Sequence, residues 1–277
     1  MFLLAAIIIL LLWRAWPAIQ SFGWKFLIDR EWDPVNDRFG ALSFIYGTAV
    51  SSLVAIAIAF PVSMGVALFL NELAPDWIAG PVGFLIEMLA AIPSVVFGIW
   101  GIFVLAPWLR THLEPGLAQT LGFLPFFQGT PYGVGMLAAG IILAIMITPT
   151  ISAISRDIFK TVPDPLREAA LGLGATRWEM IRIAVLANSR AGIFGAVILG
   201  LGRAMGETMA VTMVIGNRPD ISLSLFEPAT TMASVIANEY AEATSTLHLS
   251  SLALVGLSLF GVSLITSSLA RILVRTS

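Results

Sequence analysis

Cysteine is absent from this sequence of 277 residues, which excludes disulfides, thiolate metal sites and thiol nucleophiles together. Histidine is nearly absent as well: His112 and His248 stand far apart in expected loops, so a histidine-held metal is not expected. Charge is scarce. Asp, Glu, Lys and Arg make up 12% of the chain, about half the share found in soluble domains. The net charge of −2 offers no clustered basic face of the kind that nucleic acid binding requires. Apolar residues fill the space, at 58% of the chain and a mean hydropathy of +0.92. Such a chain has too little polar surface to coat a water-soluble globule. A disordered chain would need the reverse balance, and a membrane barrel would alternate in segments of about ten residues. Here the apolar stretches run on without alternation, which predicts an all-α membrane protein.

A membrane-crossing helix takes about 20 mostly apolar residues. Six such stretches are present, over residues 1–19, 44–70, 82–108, 132–155, 191–216 and 250–273. The first, interrupted by Arg14, is expected to be an anchor helix rather than a signal peptide, because the basic start and small-x-small end of a signal peptide are missing. Lys and Arg concentrate on cytoplasmic faces. One face holds Arg156, Lys160, Arg167, Arg177, Arg182, Arg190, Arg271 and Arg275; the other holds Lys25, Arg30, Arg38, Arg110 and Arg218. Eight against five places both termini and the loop 156–190 in the cytoplasm.

That loop reads as helix–glycine–helix. Pro163-Asp164-Pro165 opens a first helix with proline in its first turn, and Gly172 and Gly174 interrupt it. Thr176 and Glu179 then match a capping box for a second helix, in which Trp178, Ile181 and Val185 fall on one face. The stretch 109–131, rich in Pro, Gly and aromatic residues, is expected to dip into the interface.

Catalytic signatures are missing. Neither lysine follows a phosphate-cradling glycine loop, and the glycines at 200, 202 and 206 have the wrong spacing for a dinucleotide site. The chain is therefore expected to be no enzyme and to bind no cofactor of its own, so that any ATP and magnesium would sit on another subunit.

The fifth stretch carries the chemistry. Arg203 lies twelve residues in, about 18 Å along a helix at 1.5 Å per residue, which puts it near mid-membrane. Glu207, four residues on, is expected on the same helical face. Gly192, Gly195, Gly202 and Gly206 form a neighbouring stripe suited to close helix packing. One reading makes Arg203 and Glu207 a structural ion pair. The other presents Arg203, with Glu207 and Thr208, to an anion pathway, since the planar guanidinium fork suits a tetrahedral oxyanion. Glu87 is expected near the inner interface or paired within the protein, and Pro93-Ser94 and Thr148-Pro149-Thr150 are expected to break two further spans.

Two motifs resemble a known family. Glu168-Ala169-Ala170-x-x-x-Gly174 is similar to the EAA motif of ABC-importer permeases, with Ala187 standing where that pattern usually has proline. Gly200-Leu-Gly-Arg203-Ala-Met-Gly-Glu207-Thr208 is similar to phosphate importer permeases, closer to the PstC-type than to the PstA-type subunit. Phe39-Gly-Ala-Leu and Ala91-Ile-Pro-Ser-Val-Val-Phe-Gly98 carry the same likeness. The resemblance implies a type I importer permease in the bacterial inner membrane. It would pair with a PstA-type permease, an ATPase dimer and a periplasmic phosphate-binding protein, and Glu168, Ala169, Ala170 and Gly174 would couple to the ATPase. Rival expectations are an importer of another oxyanion such as molybdate or sulfate, an ion-coupled carrier using Glu207, and a purely structural scaffold.

Overall fold

The computed structural model describes the backbone of residues 2–276 and the side chains of residues 4–268. Met1 and the side chains beyond Ser268, Arg271 and Arg275 among them, lie outside the described residues. Ten helices carry the description. They are α1 (Phe2–Phe22), α2 (Leu42–Leu73), α3 (Asp76–Ala90), α4 (Ser94–Leu121), α5 (Met136–Lys160), α6 (Asp164–Gly172), α7 (Arg177–Gly206), α8 (Met209–Val214), α9 (Met232–Glu239) and α10 (Thr246–Thr276). A two-stranded antiparallel hairpin, β1 (Trp32–Asp33) and β2 (Arg38–Phe39), stands between α1 and α2. Among the described residues, six helices are long and apolar enough to cross a membrane: α1, α2, α4, α5, α7 and α10.

Three expected spans differ from what forms. The third, 82–108, is divided at Pro93. Helix α3 ends at Ala90, and α4 starts at Ser94 and runs to Leu121. Proline disfavours the helical conformation in the residue before it, so the chain turns there. The helix then continues through most of the stretch expected to be a proline- and glycine-rich loop. The fifth span, 191–216, is displaced. Helix α7 begins at Arg177, inside the expected loop, and stops at Gly206; α8 follows as a separate short helix. Ala187 in place of proline leaves its N–H available, so nothing stops the helix there. The expected break at Thr148-Pro149-Thr150 does not occur. Helix α5 passes through Pro149, and Thr148 turns its hydroxyl back onto the Ala144 carbonyl at 2.7 Å.

The chain divides into two compact units. The first comprises residues up to Ala55, Pro93–Leu143 and Met205–Leu264. Its core joins Phe26, Trp32, Phe39 and Phe44 to Met232, Val235, Leu252 and Val255. Glu239 ties the hairpin to this core, because one carboxylate oxygen accepts from the Trp32 indole and pairs with His248 Nε2, each at 2.9 Å. His248, expected in a loop, is instead buried in the first turn of α10 and stacks on Phe39. In the same unit, Gly98 of α4 sits against Ala210 and Met213 of α8.

The second unit comprises Ile56–Ile92, Ala144–Ala204 and the chain from Ile265 onward. Its core gathers Ala67 and Leu68 of α2, Phe159 of α5, Val162, Ala170 of α6, and Met180, Ile181, Ala184 and Val185 of α7. Helix α7 approaches α5 through Gly192, against Ile158, and Gly200, against Ile151. The expected glycine stripe is thus corrected. Gly195, Gly202 and Gly206 face open space, since the helix turns them away from α5.

Candidate functional site

The loop between α5 and α7 is built by local rules. Pro165 lies in the first turn of α6, where its missing N–H costs nothing, and Asp164 adds a favourable charge to that end. The other end closes as a Schellman turn. Ala175 N–H donates to the Ala170 carbonyl at 3.1 Å and Gly174 N–H to the Leu171 carbonyl at 2.9 Å. Gly174 has φ +89° with no atom where a Cβ would stand, so its glycine is needed for conformation and not for space. The second helix starts with the expected capping box: Glu179 N–H donates to Thr176 Oγ1 at 3.3 Å, and Thr176 N–H to Glu179 Oε2 at 2.8 Å.

Of the motif residues, Ala170 is buried in the unit's core while Glu168, Ala169 and Gly174 are exposed. Large apolar side chains stand exposed around them: Leu166, Leu171, Leu173 and Trp178. Trp178 was expected to share a helical face with Ile181 and Val185; those two are buried, whereas Trp178 is 62% exposed. Apolar side chains left uncovered near an acidic one suit contact with another surface.

Arg167, next to that motif, makes a set of bonds that charge counting did not reveal. Its Nε and Nη2 reach the two oxygens of Glu72 at 3.3 and 2.9 Å. Nη2 also donates to the Phe159 carbonyl at 2.8 Å, and Nη1 donates to the Val162 carbonyl at 2.5 Å and Asp164 at 3.0 Å. The Glu72 bonds hold the Arg167 proton more tightly than usual. The sequence signal was Glu72 itself, a carboxylate at the end of an apolar run. Glu87 also finds a partner within the protein: Arg156 Nη2, at 2.5 Å, reached across Gly83, where a Cβ would collide with the guanidinium.

Arg203 lies in the last turn of α7. It is exposed, and it has no ion-pair partner within 4.0 Å among the described residues. Leu199, Gly202 and Gly206 share that open face. Glu207 does not continue the helix as expected; it sits in the break, where its Oε1 accepts from the Ala210 N–H at 3.4 Å and so helps to start α8. Thr208 precedes α8, and its carbonyl accepts from the Thr212 hydroxyl at 2.7 Å.

The family described as "Binding-protein-dependent transport system inner membrane component" matches residues 61–276, and the chain belongs to it. Within it the chain is a PstC-type permease. It is 48% identical over 276 residues to the phosphate transport system permease protein PstC of Haemophilus influenzae, covering 98% of this chain and 87% of that protein. PstC of Mesorhizobium japonicum is also 48% identical, over 273 residues covering 97% of this chain and 84% of that one. The fold is that of solved ABC importers. An inward-facing structure of the MetNI methionine ABC transporter superposes with a TM-score of 0.57 at 17% identity, covering 86% of this chain and 94% of that one. An amino acid ABC transporter crystallised with histidines gives 0.51 at 18% identity, covering 85% of this chain and 92% of that one.

Proposed function

We propose that this chain is one membrane half of an ATP-driven importer that carries inorganic phosphate into the cytoplasm. Its place is the bacterial inner membrane, with both termini and the loop 156–190 on the cytoplasmic side. It pairs with a PstA-type permease and receives phosphate from a periplasmic binding protein. Two ATPase subunits hold the ATP and magnesium, and this chain binds no cofactor and hydrolyses nothing. The names of its relatives and the basic loop support this reading.

Glu168, Ala169, Ala170 and Gly174 form the ATPase-coupling face, which the uncovered Leu171, Leu173 and Trp178 suit. Arg203, Glu207 and Thr208 belong to the substrate pathway. One observation carries that assignment: Arg203 is exposed and has no ion-pair partner among the described residues, thirteen residues past Arg190, or about 20 Å along the helix. Turned to lipid at that depth, an arginine costs roughly 2.5–3.5 kcal/mol or more. Turned to a water-filled path beside the second permease, it offers paired hydrogen bonds to a tetrahedral anion. Glu207, by starting α8, positions the non-helical break that carries Thr208.

The test is phosphate uptake normalised to assembled complex. Arg203→Gln should abolish it, and Arg203→Lys should lower it about tenfold, because an ammonium cannot reproduce the planar fork. Normal uptake by Arg203→Gln would remove Arg203 from the pathway.

A further inference from the structure

The coupling face must deliver motion to the spans, and the Arg167–Glu72 connection is built to carry it. The core beneath α6 is apolar, with Ala170 against Ala67, Leu68 and Phe159. Apolar contact is non-directional, so such surfaces can slide on one another as α6 moves. Arg167 supplies what that contact lacks. A guanidinium has five N–H donors in a rigid plane, and each has an acceptor here: two bonds to Glu72 and one each to Phe159, Val162 and Asp164.

The side chains of Arg167 and Glu72 are only 15% and 5% exposed. Glu72 is fixed in turn, because Asn71 Nδ2 donates to its Oε1 at 2.7 Å. Asn71 and Glu72 lie on the widened π-helical turn Phe69–Leu73 that ends α2, and such turns recur at functional positions. The guanidinium therefore joins α6 to the ends of α2 and α5 at fixed distance and angle. A buried ion pair adds little net stability over an apolar replacement, so its directionality is its distinguishing property.

We propose that Arg167 and Glu72 act as a strut that converts displacement of the coupling helix α6 into displacement of α2, making both positioning residues for transport. The proposal rests on the reading of Glu168–Gly174 as the ATPase-coupling face. It excludes a passive role in which the pair only holds the fold together.

The experiment uses the whole complex, with partner permease and ATPase, in proteoliposomes supplied with phosphate and ATP. Hydrolysis, uptake and ATPase retention are measured together. For Glu72→Gln, which keeps the shape and removes the charge, the ATPase should stay bound and hydrolysis continue. Uptake per ATP should fall at least tenfold. Arg167→Lys should show the same loss in weaker form. A ratio within twofold of the parent in both variants overturns the strut. So does an uptake loss that merely tracks the amount of complex recovered, or one that follows release of the ATPase. If Glu72→Gln fails to accumulate, Glu72→Asp, which retracts the charge by one methylene, is judged by the same ratio. Glu168→Lys separates the two ideas: full ATPase retention and uptake in that variant refutes the coupling face itself, whatever the Glu72 variants do.

Discussion

Gly174 is the residue in which sequence pattern and physical cause meet most directly. Its φ of +89° closes α6, and open space surrounds the position of its missing Cβ. Size alone therefore does not exclude a side chain; strain does. Gly174→Ala should cost about 1–2 kcal/mol, the penalty for an L-residue in the left-handed region. It should loosen the Schellman bonds, which hydrogen exchange at the Gly174 and Ala175 amides would detect. Exchange unchanged from the parent would show that the turn tolerates the strain. Gly83 is the opposite case, since there the missing Cβ is the route by which Arg156 reaches Glu87. The first glycine is identified by its place after a helix, the second only by a partner 73 positions away.

At the scale of elements, the features legible in the sequence were those with local causes. Thr176 and Glu179 marked the start of α7 because a capping box spans only four residues. Removing the cap with Thr176→Ala should cost about 1 kcal/mol and fray the Arg177–Met180 turn, measured as faster amide exchange there. Equal protection in the variant would show that burial of Met180 and Ile181 holds the turn without its cap. The break at Glu207–Thr208 was not legible, because hydropathy continues through it from α7 into Met209-Ala210-Val211. A carboxylate in the break turns to accept the Ala210 N–H, an arrangement that apolar periodicity does not encode. The same limit hid the π-helical turns at Phe69–Leu73 and Ile181–Leu186. The Thr-Pro-Thr stretch of α5 misled in the other direction. Proline removes one donor, the one that would reach the Ile145 carbonyl, yet a long packed membrane helix persists through that loss.

For the whole molecule, apolar run length revealed the helical class and the number of crossings, and the loop motif with the Arg203 stretch revealed the family. The proposed orientation rests on charge bias alone and can be tested cleanly, because the chain contains no cysteine of its own. Val35 is 91% exposed at the tip of the hairpin and Leu173 is 90% exposed beside α6. In spheroplasts that make the permeases without the ATPase, Val35→Cys should react with a membrane-impermeant thiol reagent while they are intact, and Leu173→Cys only after permeabilisation. The reverse pattern would invert the proposed topology.

The Glu239 carboxylate gives the first unit an internal optical reporter. Trp32 is 9% exposed and held by its indole N–H, whereas Trp13, Trp16, Trp24, Trp77, Trp100, Trp108 and Trp178 are each at least 41% exposed. In the isolated chain, quenchers dissolved in water or carried in lipid reach those seven rings and spare the shielded one. The emission that survives quenching comes from Trp32, so its intensity and wavelength report whether the hairpin is seated, without any attached dye.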